Sequence, residues 1–171
     1  ILRDLGKLQE AEVSYRKAID INPDFANAHS NLGHLLRDLG KLQEAEVSYR
    51  KAIDINPDFA NAYFNLGNVL RDLGKSQKAF DSYLKAIDIN PTLSNVYIQI
   101  SKFIKDSDLS QLNKSNLKKI LNLLLERKDV PHEELERAFN LVYCKEIINS
   151  LEKFDSDFSN TDLLINKKVI I

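Results

Sequence analysis

LRDLGKLQEAEVSYRKAIDINPDFANA at residues 2–28 returns letter for letter at 36–62, and a looser copy, LRDLGKSQKAFDSYLKAIDINP, starts at Leu70. The 171-residue chain therefore repeats every 34 positions. A period of that size builds an array rather than one globular core. Each unit is a supersecondary element that cannot cover its own apolar face and is completed by its neighbours. Function is expected on a surface made by stacking.

Within one unit, Leu32, Leu36 and Leu39 recur at helical spacing, Gly40 interrupts them, and Leu42, Ala45, Tyr49, Ala52 and Ile53 form a second helical stripe. Asn56-Pro57 ends that stripe, because proline disfavours α geometry in the residue before it and has no amide to extend the ladder. The unit predicts a helical hairpin with a short turn, each helix roughly four turns long.

Leu32, Gly33, Gly40, Ala45, Tyr49, Ala52 and Pro57, followed by Tyr63, Leu66, Gly67, Gly74, Ala79, Tyr83, Ala86 and Pro91, fall at the spacing of the tetratricopeptide repeat (TPR) consensus. Roughly the first 100 residues resemble that family, with His29, where the family prefers a large aromatic, as the main departure. The resemblance implies an all-α solenoid of helix-turn-helix units whose first helices line a concave side. Steric logic agrees: Gly33 and Ala45 fall where the two helices of a hairpin must approach closely, and Ala52 where the next hairpin leans in.

The expected array covers 1–105, as a partial unit 1–25, full units 26–59 and 60–93, and a capping helix 94–105 that begins at Ser94. Terminal repeats are atypical because they present a different outer face. Residues 106–171 read as a helical segment without the repeat. Its apolar-periodic runs start after Ser115, at Pro131 and after Thr161, joined by Asp106-Ser107-Asp108 and Asp155-Ser156-Asp157. The partial first unit and the apolar finish Val169-Ile170-Ile171 read as cuts through a longer protein, with 106–171 as a connector to a downstream region.

Composition narrows the function. The net charge is −1, and residues 96–171 hold twelve basic and twelve acidic residues, so neither portion carries a field that would draw a phosphate backbone. No nucleic-acid partner is expected. No run approaches the roughly 20 apolar residues of a membrane span, and a signal-peptide layout is missing, so no membrane partner is expected either. Cys144 is the only cysteine, which leaves no internal disulfide and points to a reducing, cytoplasmic setting with Cys144 as a small hydrophobe. His29, His34 and His132 show no metal-ligand spacing; His132-Glu133 begins a zinc-protease pattern, but Glu136 stands where its second histidine belongs. No metal, no cofactor and no catalysis are expected of these residues.

The informative polar set is a stripe on the first helix of each unit. Asn27, Asn31, His34 and Asp38 are spaced i, i+4, i+7 and i+11, and the next unit repeats them as Asn61, Asn65, Asn68 and Asp72. Asn95, Gln99 and Lys102 extend the stripe. A side-chain amide both donates and accepts, so a column of them can pair with the NH and CO of an extended peptide whatever its side chains are. Phe64 and Ile98, each one residue before a rung, are candidate apolar anchors. Arg37-Asp38 and Arg71-Asp72 are read as locally paired surface charges, and Tyr49 and Tyr83 as packing residues with hydroxyls turned to solvent.

The stretches AHSNLG, GKLQEA and AYFNLG are also similar to the TPR array of the O-linked N-acetylglucosamine transferase family. That resemblance implies that Asn31 and Asn65, with Gln99 as a softened third, form a ladder holding protein substrates. Chaperone-binding TPR domains that clamp a terminal carboxylate need lysine and arginine where this chain has Asn95 and Gln99, so no such clamp is expected. The expectation is a module binding a protein or peptide segment on its concave face. The alternative is the substrate-recruiting arm of a larger transferase, glycosyltransferase- or methyltransferase-like.

Overall fold

The computed structural model describes the backbone of residues 2–143 and the side chains from Gly6 onward. Cys144, the Asp155-Ser156-Asp157 connector and the helix expected after Thr161 lie outside the described residues. The helices are α1 (Leu2–Ile21), α2 (Ala26–Asp38), α3 (Leu42–Ile55), α4 (Ala60–Asp72), α5 (Ser76–Ile89), α6 (Ser94–Asp106) and α7 (Lys114–Leu125). Short 3-10 turns at Leu109–Gln111 and His132–Leu135 precede α7 and a further helix, α8, over 136–143. No strand occurs among the described residues.

The hairpin turns are built by glycine. Gly40 and Gly74 both sit at φ 73°, a left-handed conformation that costs other residues a Cβ clash. Each ends its helix in a Schellman motif: Gly40 N–H donates to Arg37 O at 2.9 Å and Lys41 N–H to Leu36 O at 2.8 Å, and Gly74 and Lys75 repeat both bonds. The loops between units repeat as well. Asn22, Asn56 and Asn90 accept the amide two residues on, at 3.2, 3.2 and 3.1 Å. His29 takes up the work of the aromatic it replaces, since its Nε2–H donates to Pro23 O at 2.9 Å as Tyr97 Oη donates to Pro91 O at 3.1 Å.

LRDLGK at 2–7 is identical to 36–41 and 70–75, yet it runs straight through Gly6 as part of one 20-residue helix.

Close packing in the hairpins rests on small residues opposite tyrosine. A Cβ on Gly33 would come within 3.0 Å of the Tyr49 ring, and one on Gly67 within 2.5 Å of Tyr83. Ala45, Ala52, Ala79 and Ala86 are fully buried beside them. Beyond α6, α7 lies along α5, with Gln77 Oε1 accepting from Asn113 N–H at 2.9 Å and Lys119 Nζ 3.3 Å from Asp88. Lys119 stands one period after Lys85, and buried Leu117 one period after Tyr83. Ser101 replaces the glycine and donates to Glu134 Oε2 at 3.0 Å, tying α6 to the turn before α8. The cap of α7 is Asn113, whose side chain accepts from Asn116 N–H, and not Ser115. After Pro131 the chain first makes a 3-10 turn and only then an α-helix.

Charged clasps join successive units. Lys41 Nζ lies 2.9 Å from Glu12 and Lys75 Nζ 2.6 Å from Glu46, with Arg16 and Arg50 at 2.9 Å on the same carboxylates. At the next interval Phe80 and Leu109, both buried, stand in the places of Glu46 and Lys75. Hydrogen bonds from Lys41 and then Arg16 hold Glu12 below the ordinary carboxylate range. Burial opposes ionisation of Glu46, but bonds from Lys75 and Arg50 outweigh it and leave that carboxyl lowered too. A depressed folded pKa stabilises above the unfolded value of 4.5 and is lost as pH falls through the folded value. Solvent screening limits each clasp to about 1 kcal/mol or less. Thermal melts between roughly pH 5 and pH 3 should therefore fall more steeply for the native chain than for Glu46→Gln.

Candidate functional site

Asn31 and Asn65 occupy equivalent turns of α2 and α4. Each lies two residues before a glycine that faces its own hairpin tyrosine, so the two helices present the same edge. Asn27, Asn31, Asn61 and Asn95 are exposed, and Asn65 and Gln99 are half-buried. No other described residue engages any of these six side-chain amides. The turn asparagines Asn22, Asn56, Asn90 and Asn113 are by contrast all hydrogen-bonded. The stripe thus leaves its donors and acceptors without a partner among the described residues.

Asn68 does not belong to that set. It is 6% exposed, and its Oδ1 accepts from the Tyr83 hydroxyl at 3.0 Å. The expectation that the hydroxyls of Tyr49 and Tyr83 face solvent fails with it, since both rings are fully buried. Burial pushes the Tyr83 phenol up to about 12, and the Tyr49 phenol is raised by burial as well. At the place of Asn68, His34 is exposed, with Nδ1 3.3 Å from Asp38 Oδ2. Phe64 is half-buried beside Tyr83, ring centroids 6.1 Å apart, and offers the groove one edge at most.

The border of the stripe carries inter-unit charge. Arg37 reaches across to Asp72 at 3.1 Å and not to its neighbour Asp38, while Arg71 pairs locally with Asp72 at 2.8 Å. At the far end, Gln99, Lys102, Phe103 and Asp106 of α6 join Arg71 around a hollow of about 520 Å³. Among the described residues no group of histidine, cysteine, aspartate or glutamate side chains could hold a metal ion, and no helix is long and apolar enough to cross a membrane.

Residues 1–36 and 33–74 match the family model described as TPR repeat, and 60–93 match the one described as tetratricopeptide repeat. Comparison with curated protein sequences gives no significant match. Among solved structures, the chain is similar to the crystal structure of MamA, at TM-score 0.64 and 19% identity over 92% of this chain and 94% of that one. It is similar to the first TPR of Spaghetti (RPAP3) bound to the HSP90 peptide SRMEEVD, at TM-score 0.56 and 24% identity over 58% and 79%. It is also similar to a mutant O-GlcNAc transferase of Thermobaculum terrenum, at TM-score 0.60 and 22% identity over 71% of this chain and 23% of that one. At these identities the likeness is one of fold.

Proposed function

Since this chain belongs to the tetratricopeptide repeat family, we propose that it is a protein-interaction module that holds an extended peptide along the edge formed by α2, α4 and α6, reading the peptide's backbone through Asn27, Asn31, Asn61, Asn65, Asn95 and Gln99. The observation that carries this reading is the contrast among asparagines, free along the stripe and bonded in the turns. Neighbouring helices pack about 8 to 10 Å apart, and an extended chain rises about 3.3 Å per residue. Each rung would therefore meet about every third peptide residue. A likeness to a TPR structure with peptide bound supports the same class of ligand.

Two scans of one bound peptide, selected from a random library, test the backbone reading. N-methylation at every third position should abolish binding, while alanine at the same positions should leave most of it. Loss of affinity that tracks side chains and ignores N-methylation would mean that pockets, and not the amide column, hold the ligand.

A further inference from the structure

One hydroxyl in the array is sealed from water with no hydrogen-bond partner among the described residues, and it belongs to Tyr49. Its counterpart one unit on, Tyr83, donates to Asn68 Oδ1 at 3.0 Å. The residue at Asn68's place in the earlier unit is His34. Its ring lies outward, the side chain 62% exposed and Nδ1 3.3 Å from Asp38 Oδ2. Histidine Nδ1 and asparagine Oδ1 are both bonded to Cγ, so they stand equally far along the side chain. The rotamer that carries Asn68 Oδ1 to Tyr83 would carry His34 Nδ1 to Tyr49. The same atom therefore has two exclusive uses: protonated, it donates to Asp38; unprotonated, its lone pair accepts from the Tyr49 hydroxyl.

We propose that His34 is a two-position switch, held outward on Asp38 as the imidazolium and folded inward as the neutral imidazole to accept from Tyr49. The outward pair is solvent-exposed and weak. The inward bond would relieve a buried, unsatisfied hydroxyl, which is the costlier defect. The charged groups around this corner are few. Arg37 and Asp38 lie on α2 itself, and Arg71 and Asp72 end α4, where Asp72 engages both arginines. From α3 it is Tyr49 that reaches this corner, where Arg37 and Asp38 are the charges acting on its hydroxyl, and the α1 charges Arg16 and Asp20 line a cleft over His29 and Leu32 on the opposite flank of α2. Asp38 is thus the carboxylate left for His34. Because the inward bond forms only with neutral imidazole, its stabilisation is present at high pH and is lost as the proton binds.

Thermal melts of the native chain, Tyr49→Phe and His34→Asn between about pH 5.5 and pH 8 read the switch. Tyr49→Phe, which has no hydroxyl to satisfy, should melt about 2 to 4 °C above the native chain at the acid end and level with it at the basic end. His34→Asn, which supplies a permanent partner, should show the same closing gap. His29 and His132 are common to all three chains and cancel in the differences. In nitrogen NMR of the native chain, His34 Nδ1 should take the shift of a hydrogen-bonded acceptor on the basic side. Parallel melting curves for the native chain and Tyr49→Phe, or a His34 Nδ1 that never becomes an acceptor, would overturn the proposal.

Discussion

Tyr83→Ala is expected to lower stability by about 3 to 5 kcal/mol, a fall in melting temperature on the order of 10 °C for a chain of this size. The ring is fully buried and fills the space left by Gly67. Its centroid lies 6.1 Å from that of Phe64 and 5.9 Å from that of Phe103, which bridges the hairpin to α6. Deleting it opens a cavity at a junction of three helices, and in an array a defect at one unit weakens both of its interfaces. Tyr83→Phe isolates the hydroxyl. It leaves Asn68 Oδ1 buried without its donor, which should cost about 1 to 3 kcal/mol. Tyr49→Phe, whose ring packs on Gly33 as that of Tyr83 packs on Gly67, should instead gain slightly at mildly acid pH, because that hydroxyl has no partner to lose. Urea melts of the three variants decide the matter. Equal losses for the two Tyr→Phe changes would show that the Asn68 bond contributes nothing.

The residues that made the fold legible are those whose chemistry is local. Gly40 and Gly74 turn because only glycine takes φ 73° cheaply, and Asn56-Pro57 ends a helix by its own stereochemistry. The same six letters, LRDLGK, turn at Gly40 and Gly74 and run helical through Gly6. The inter-unit clasps could have been found by pairing Glu12 with Lys41 and Glu46 with Lys75 at a constant separation of 29 residues.

The candidate stripe was legible to the level of the helix face. Periodicity places Asn31, Asn65 and Gln99 on one edge, but a stripe three or four residues wide includes positions at its margin that rotate inward. Asn68 is such a position. The signal for it was the tyrosine fifteen residues on, a hydroxyl that burial would oblige to find an acceptor. His34 at the equivalent place breaks the pairing, so comparing the two units separates the structural asparagine Asn68 from the unpaired ones of the stripe. Arg37 likewise prefers Asp72 of the next unit to adjacent Asp38, a choice that depends on how far the stacked helices stand apart and not on sequence spacing.

Asn31→Ala combined with Asn65→Ala should weaken peptide capture about 5- to 150-fold, which corresponds to two neutral hydrogen bonds of about 0.5 to 1.5 kcal/mol each. Helicity and melting temperature should hardly move, because neither amide has a partner among the described residues and surface changes of this kind stay within about 0.5 kcal/mol. Asn68→Ala makes the opposite experiment three residues away. It leaves the Tyr83 hydroxyl unsatisfied in a sealed site and should lower the melting temperature while sparing the affinity of the folded fraction. Binding titrations and melts on both variants separate the two roles. If the Asn31/Asn65 pair melts early, those amides hold units together; if it binds as the native chain does, the peptide lies elsewhere. Only lost affinity at unchanged stability, with Asn68 showing the reverse, fits a groove read through amides that the fold itself leaves unspent.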